Sequence, residues 1–135
     1  MTHLLDTNAC IAHLRSANSS VTRELKKRAP GDVVLCSVVK AELLFGARRS
    51  RDVQKNLQQL APFFAGFASL PFDDVAADAY SDARAVLVAA GTPIGPNDML
   101  IAAIALANHI VLVSRNVAEF RRVPGLQIEN WEMLP

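Results

Sequence analysis

Three carboxylates stand where a folded chain could put them to chemical use. Asp6 follows the apolar pair Leu4-Leu5, Glu42 is the only charge in Ala41-Glu42-Leu43-Leu44-Phe45, and Asp98 heads the apolar run Met99-Leu100-Ile101-Ala102-Ala103-Ile104. Taken singly, each has a plain structural explanation. Asp6 can cap the helix that Thr7 and Asn8 open, and Asp98 can answer the positive end of a helix dipole. Glu42 can lie on an exposed face, but a lone carboxylate among large apolar residues is costly unless it is paired. Gathered at one crevice, the three would repel one another. A divalent cation that prefers hard oxygen ligands, Mg²⁺ or Mn²⁺, removes that conflict. Carboxylate-held Mg²⁺ without a nucleotide-binding loop points to phosphodiester hydrolysis by an activated water.

Other chemistries find little support. Gly91, Gly95 and Gly125 do not make a phosphate-binding loop, and His3, His13 and His109 are too scattered for a Ser-His-Asp arrangement. Cys10 and Cys36 lack the paired spacing of a zinc site and read as small buried hydrophobes.

The carboxylates need elements to bring them together. His3–Leu5, Val33–Cys36, Leu70–Phe72, Ile110–Ser114 and Gln127–Trp131 read as short strands. Between them lie helical segments at Thr7–Arg15, from the Asn18-Ser19-Ser20 cap cluster to about Ala29, from a Ser37 cap through Phe45, from Asp52 to Phe67, from Asp73-Asp74 to Gly91, and over Asn97–Asn108. Strands separated by helices imply parallel pairing, hence an α/β fold with a central parallel sheet and helices on both faces. Such sheets place their sites at the carboxyl ends of strands, where strand order reverses. Asp6 and Asn116 both fall just past strand ends, so they can meet at one edge. Glu42, about a turn and a half into the helix after the second strand, can point at the same edge.

Length and composition agree with one ordinary domain spanning residues 1–135. The chain has 135 residues, 51% hydrophobic and 20% charged, which excludes a disordered polymer. There is no apolar run long enough to span a membrane and no layout of a signal peptide, so a cytoplasmic protein with free thiols is expected. The formal net charge of +1 hides an asymmetry. Residues 1–68 carry ten Lys/Arg against five Asp/Glu, whereas residues 69–135 carry four against eight. The basic clusters are solvated helix faces or the footprint of a polyanion.

Four segments in order carry a family resemblance. Leu4-Leu5-Asp6-Thr7-Asn8 resembles the start of a PIN-domain nuclease, and Ser37-Val38-Val39-Lys40-Ala41-Glu42-Leu43-Leu44-Phe45-Gly46-Ala47 its second segment. Pro93-Ile94-Gly95-Pro96-Asn97-Asp98-Met99 resembles the third, and Val113-Ser114-Arg115-Asn116 with Glu119-Phe120 the fourth. The compact length resembles the VapC toxins of prokaryotic type II toxin–antitoxin pairs. The resemblance implies a Mg²⁺-dependent endoribonuclease that forms homodimers and is neutralised by a small VapB antitoxin, through which alone it meets DNA. It makes Asp6, Glu42 and Asp98 the catalytic metal-site carboxylates, with Thr7, Asn97 and Ser114 supporting them. The family often carries Asp where this chain has Asn116, which puts a second metal in doubt.

RNA is the implied substrate, in the manner of a tRNA cut in an exposed single-stranded loop, where unstacked bases can be read. Lys40, Arg48 and Arg49 are candidates to hold its phosphates, on their nearness in sequence to Glu42. Two other readings compete. A non-catalytic binding module on the same fold would have lost the carboxylates, which are all present. A phospho-accepting receiver domain would need a strand-borne Lys, and after Asp98 the only cations are Arg115, Arg121 and Arg122.

Overall fold

A computed structural model describes residues 1–133. Its sheet has five short strands, β1 (His3–Leu5), β2 (Val33–Cys36), β3 (Ser69–Leu70), β4 (Val111–Val113) and β5 (Ile128–Glu129). They pair in the order β3-β2-β1-β4-β5, every pairing parallel. The inner strands β1 and β2 are buried along their whole length, as strands covered on both faces must be.

The chain steps outward from β1 to β3, then returns past β1 to reach β4. The strand order therefore reverses between β1 and β4, whose Leu5 and Val113 are in register. Right-handed connections put α1 (Thr7–Arg15), α2 (Ser20–Lys26), α3 (Ser37–Arg48) and α4 (Val53–Ala65) on one face. They put α5 (Asp74–Ala89) and α6 (Pro96–Ala107) on the other. Packing follows this division: α1 meets α2 and α3, α3 meets α4, and α5 lies along α6. The core between the layers holds Leu4, Leu5, Leu35, Leu112, Ile101 and Ile104, all shielded from solvent. The apolar character of α6 has the same cause, since Ile101–Ala105 are all buried.

Some boundaries differ from the sequence expectation. Ser37 does not cap α3. Strand β2 runs up to Cys36, whose extended backbone takes the capping position, and no side-chain oxygen closes the helix. The third strand lies at Ser69–Leu70, a residue earlier than expected, and the second helix ends at Lys26. A short helix, α7 (Val117–Phe120), follows β4; four residues carry no readable period. A 3₁₀ turn at Trp131–Met133 closes the described chain.

Candidate metal-dependent nuclease site

The strand reversal places Asp6 and Ser114 side by side. Asp6 is the first residue after β1 and its N–H donates to the Val113 carbonyl at 3.0 Å. Its carboxylate caps α1, Oδ1 accepting the Ala9 N–H at 2.8 Å, and the Ser114 hydroxyl beside it favours the charged form. The capping role and a role in the site are thus compatible. Asp6 is only 4% exposed, and burial raises its carboxyl above the usual range against the pull of those two donors.

Glu42 enters from α3 and is held at both oxygens. The Thr7 hydroxyl donates to Oε1, and the Asn97 side-chain amide donates to Oε2 at 3.3 Å. This contact joins α3 to α6 across the strand edge, so helices from opposite layers meet over the site. Asn97 and Asp98 sit in the first turn of α6, which begins with Pro96 at a position whose missing N–H costs no helical bond.

The fourth carboxylate is Glu119, on α7. It reaches back to the loop before α6, where Oε1 accepts the Gly95 N–H at 2.8 Å. The Asn116 side-chain amide donates to its Oε2 at 2.7 Å. A Cβ added at Gly95 would lie 3.7 Å from both Asp98 Oδ2 and Glu119 Oε1, so the two acids lean over the same glycine. The two carboxyls act on each other across it. Burial, then the charges of Glu119, Glu42 and Asp6, push the Asp98 carboxyl up to about 6. Glu119 moves the other way, held below the ordinary range chiefly by the Gly95 N–H.

In the sequence Glu119 stands only within the segment that Glu119-Phe120 closes, with no role evident from the chain. Its signal is weak: the acid lies on a four-residue helix, and its backbone partner, Gly95, is 24 residues away in the chain. Asn116, three residues earlier, holds the acid in place. The described end of the chain also returns here. Glu132 faces Arg115 at 3.9 Å, acts on Asp6 by its charge, and leaves Oε2 buried without a hydrogen-bond partner.

Not every candidate gathers at this edge. Lys40 lies two residues from Glu42, so it projects from nearly the opposite side of α3. Its ammonium sits 5.0 Å from the Phe64 ring of α4. Arg48 and Arg49 are exposed near the end of α3. Both thiols are buried and free. Burial raises Cys10 far above the ordinary thiol range and Cys36 to about 11, so neither supplies a nucleophile at neutral pH.

The donor set fits a hard divalent cation. Asp6, Glu42, Asp98 and Glu119 offer only carboxylate oxygens, and their mutual repulsion is visible in Asp98. As they stand, no three His, Cys, Asp or Glu side chains among the described residues form a closed metal-binding group. Three of the four are turned instead toward partners of their own: Asp6 toward Ala9 and Ser114, Glu42 toward Thr7 and Asn97, and Glu119 toward Gly95 and Asn116. Such a set can hold charge apart without a cation and exchange those contacts for one.

Comparison with known proteins agrees with this fold. The family model described as "PIN domain" matches residues 3–126. The chain is 36% identical to the tRNA(fMet)-specific endonuclease VapC of Shigella flexneri over 95% of its own length and 96% of the relative's. Among solved structures it is similar to a DNA-bound VapBC complex from Salmonella typhimurium, with a TM-score of 0.91 and 34% identity. That match covers 97% of this chain and 98% of the other. VapBC2 from Rickettsia felis, bound to a DNA fragment from its promoter, gives a TM-score of 0.89 and 32% identity over 97% and 99% of the two chains.

Proposed function

The chain belongs to the PIN-domain family, and on that premise we propose that it is the toxin of a type II toxin–antitoxin pair. It is an endoribonuclease that hydrolyses phosphodiester bonds in RNA and is neutralised by a VapB-type antitoxin. The observation that carries this reading is the set of contacts at the strand reversal by which Glu42 meets Asn97 and Glu119 meets Gly95, on either side of Asp98.

Nucleases of this family depend on a divalent metal. Mg²⁺ is the ion proposed for this chain, with Mn²⁺ able to substitute, because every donor is a hard oxygen. Bound there, the cation supplies Lewis acidity to a phosphoryl oxygen and acidity to the attacking water. Asp6, Glu42 and Asp98 are the catalytic carboxylates, and Glu119 joins them. Thr7 and Asn97 orient Glu42, Ser114 orients Asp6, and Asn116 orients Glu119. Fixing each carboxylate beforehand lowers the reorganisation needed when substrate arrives.

A structured RNA such as a tRNA is the proposed substrate, supported by the printed specificity of the Shigella relative. A groove of about 370 Å³ opens beside Thr7 and Glu42, with Ile11, Leu14, Leu43 and Leu60 in its walls. It suits an apolar antitoxin segment whose Arg or Lys reaches the carboxylates. DNA contact is proposed to run through the antitoxin alone; both solved relatives are VapBC complexes bound to DNA. A homodimer is proposed, with Val75 and Val86, eleven residues apart and so on one face of α5, as exposed apolar contacts. Among the described residues no helix is long and apolar enough to cross a membrane. A toxin acting on cellular RNA works in the cytoplasm.

Controlled expression tests the reading. Wild type arrests growth, whereas Asp98→Asn at equal abundance does not, and co-expression of the cognate antitoxin restores growth. Equal arrest by wild type and Asp98→Asn would contradict it.

A further inference from the structure

Glu42 and Phe45 lie on α3 and Arg49 is its C-cap, at i, i+3 and i+7 with the cap still in helical conformation, so the three share one face. By helical rise, Phe45 lies about 4.5 Å and Arg49 about 10.5 Å beyond Glu42 along the axis. The stripe therefore leads outward from the carboxylates. Phe45 is 61% exposed, the most exposed aromatic side chain among the described residues. Its neighbours in type behave differently: Phe63 stacks with Phe64 and Phe67, and Phe120 is wholly buried. The guanidinium carbon of Arg49 lies 5.4 Å from the Phe45 ring centroid. Arg48 ends α3, Arg51 lies in the connection to α4, and Lys55 is in the first turn of α4. Among the described residues none of these four cations lies within ion-pair distance of a carboxylate.

We propose that Phe45 and Arg49 form a nucleotide subsite next to the scissile bond, where an unpaired RNA base stacks on the Phe45 ring and Arg49 holds a backbone phosphate. The inference rests on the ribonuclease reading above and adds which part of the RNA the protein grips. An exposed ring flanked by cations matches a polyanion that carries flat apolar bases. Its position on the Glu42 face puts the stacked base within a nucleotide or two of the carboxylates. Stacking accepts any base but requires it to be unpaired, so this subsite selects single-stranded loops over duplex and is indifferent to base identity. Arg49 contributes both ways, since a guanidinium packs on an aromatic ring and still donates to phosphate.

Binding is measured without cleavage, by fluorescence anisotropy in EDTA. The probe is a short labelled single-stranded oligoribonucleotide of mixed sequence, alongside the same sequence as a duplex. Phe45→Ala is expected to weaken single-strand binding about tenfold, with little change on duplex, while Phe45→Trp binds at least as tightly as wild type. Arg49→Ala is expected to lower the slope of log affinity against log salt by about 0.7, the value for one lost single-strand phosphate contact. Thermal melts of the variants match wild type, since neither side chain packs in the core. Wild-type affinity in Phe45→Ala overturns the proposal. So does a Phe45→Ala protein that binds RNA normally but dissociates from dimer to monomer, which would make this face an interface between copies. If wild type cleaves RNA in Mg²⁺ while Phe45→Ala binds unchanged, the subsite alone fails. If wild type neither binds nor cleaves, the ribonuclease reading fails with it.

Discussion

The Asn116 side-chain amide donates to Glu119 at 2.7 Å and so holds a carboxylate against Asp98. The neutral residue past β4 is thus a support for an acid placed one helical turn later. Asn116→Ala frees Glu119 from one of its two anchors while leaving the Gly95 contact. Loss of a supporting contact of this kind weakens metal affinity by about 10–100-fold. Calorimetric Mg²⁺ titration is expected to show that loss with the fold intact. Asn116→Asp replaces the donor by a second negative charge, so it should melt lower than wild type in EDTA and recover more when Mg²⁺ is added.

Glu119→Gln should lower cleavage by orders of magnitude and also shift the Asp98 titration. Glu119 is the largest charge acting on Asp98, so its neutralisation moves the Asp98 carboxyl down from about 6. Carboxylate NMR of metal-free protein measures this. An Asp98 titration unchanged in the variant would mean that the two acids do not share the site.

Much of this site is legible in the chain because its parts lie at sequence landmarks. Asp6 directly follows an apolar strand, Glu42 interrupts an apolar helix, and Asp98 follows Gly95-Pro96 at a helix start. The parallel sheet is readable from β-branched runs such as Val33–Cys36 set between helices. Glu119 is different, because its position depends on a backbone N–H at Gly95 that only the folded loop supplies. Lys40 illustrates the opposite error: nearness in sequence to Glu42 says nothing about the side of the helix, and two residues of rotation carry it to Phe64. Ser37 suits a cap by composition, but α3 begins at Ser37 itself and Cys36 takes the capping position.

Metal-free protein should show a pH dependence traceable to Asp98. The folded carboxyl titrates near 6, above its usual 3.8, so the native state binds the extra proton between those values. That contribution to stability is present at low pH and is lost as pH rises through about 6. The stability difference between wild type and Asp98→Asn in EDTA should therefore move in favour of the variant from pH 4.5 to pH 7.5, roughly the titration range. Denaturant melts at both pH values check this, and contributions from other groups such as His13 cancel in the difference. No change in that difference would show that Asp98 is not crowded by negative charge.

Thr7→Val removes the hydroxyl that donates to Glu42 Oε1 while keeping side-chain size. Metal affinity should fall about tenfold or more, and cleavage at limiting Mg²⁺ should fall more than cleavage at saturating Mg²⁺. Equal loss at all Mg²⁺ concentrations would assign Thr7 to the substrate instead. Saturating Mg²⁺ should also raise the melting point of wild type, by about 2.7 kcal/mol of stabilisation at a hundredfold excess over Kd.

The most direct test is cleavage of a total tRNA pool by purified protein, comparing wild type with Asp98→Asn in Mg²⁺ and in EDTA. The account predicts discrete fragments from wild type in Mg²⁺ alone, with no cleavage in EDTA and none from folded Asp98→Asn. Fragments of equal yield from wild type after rigorous metal removal, or from Asp98→Asn, would contradict it.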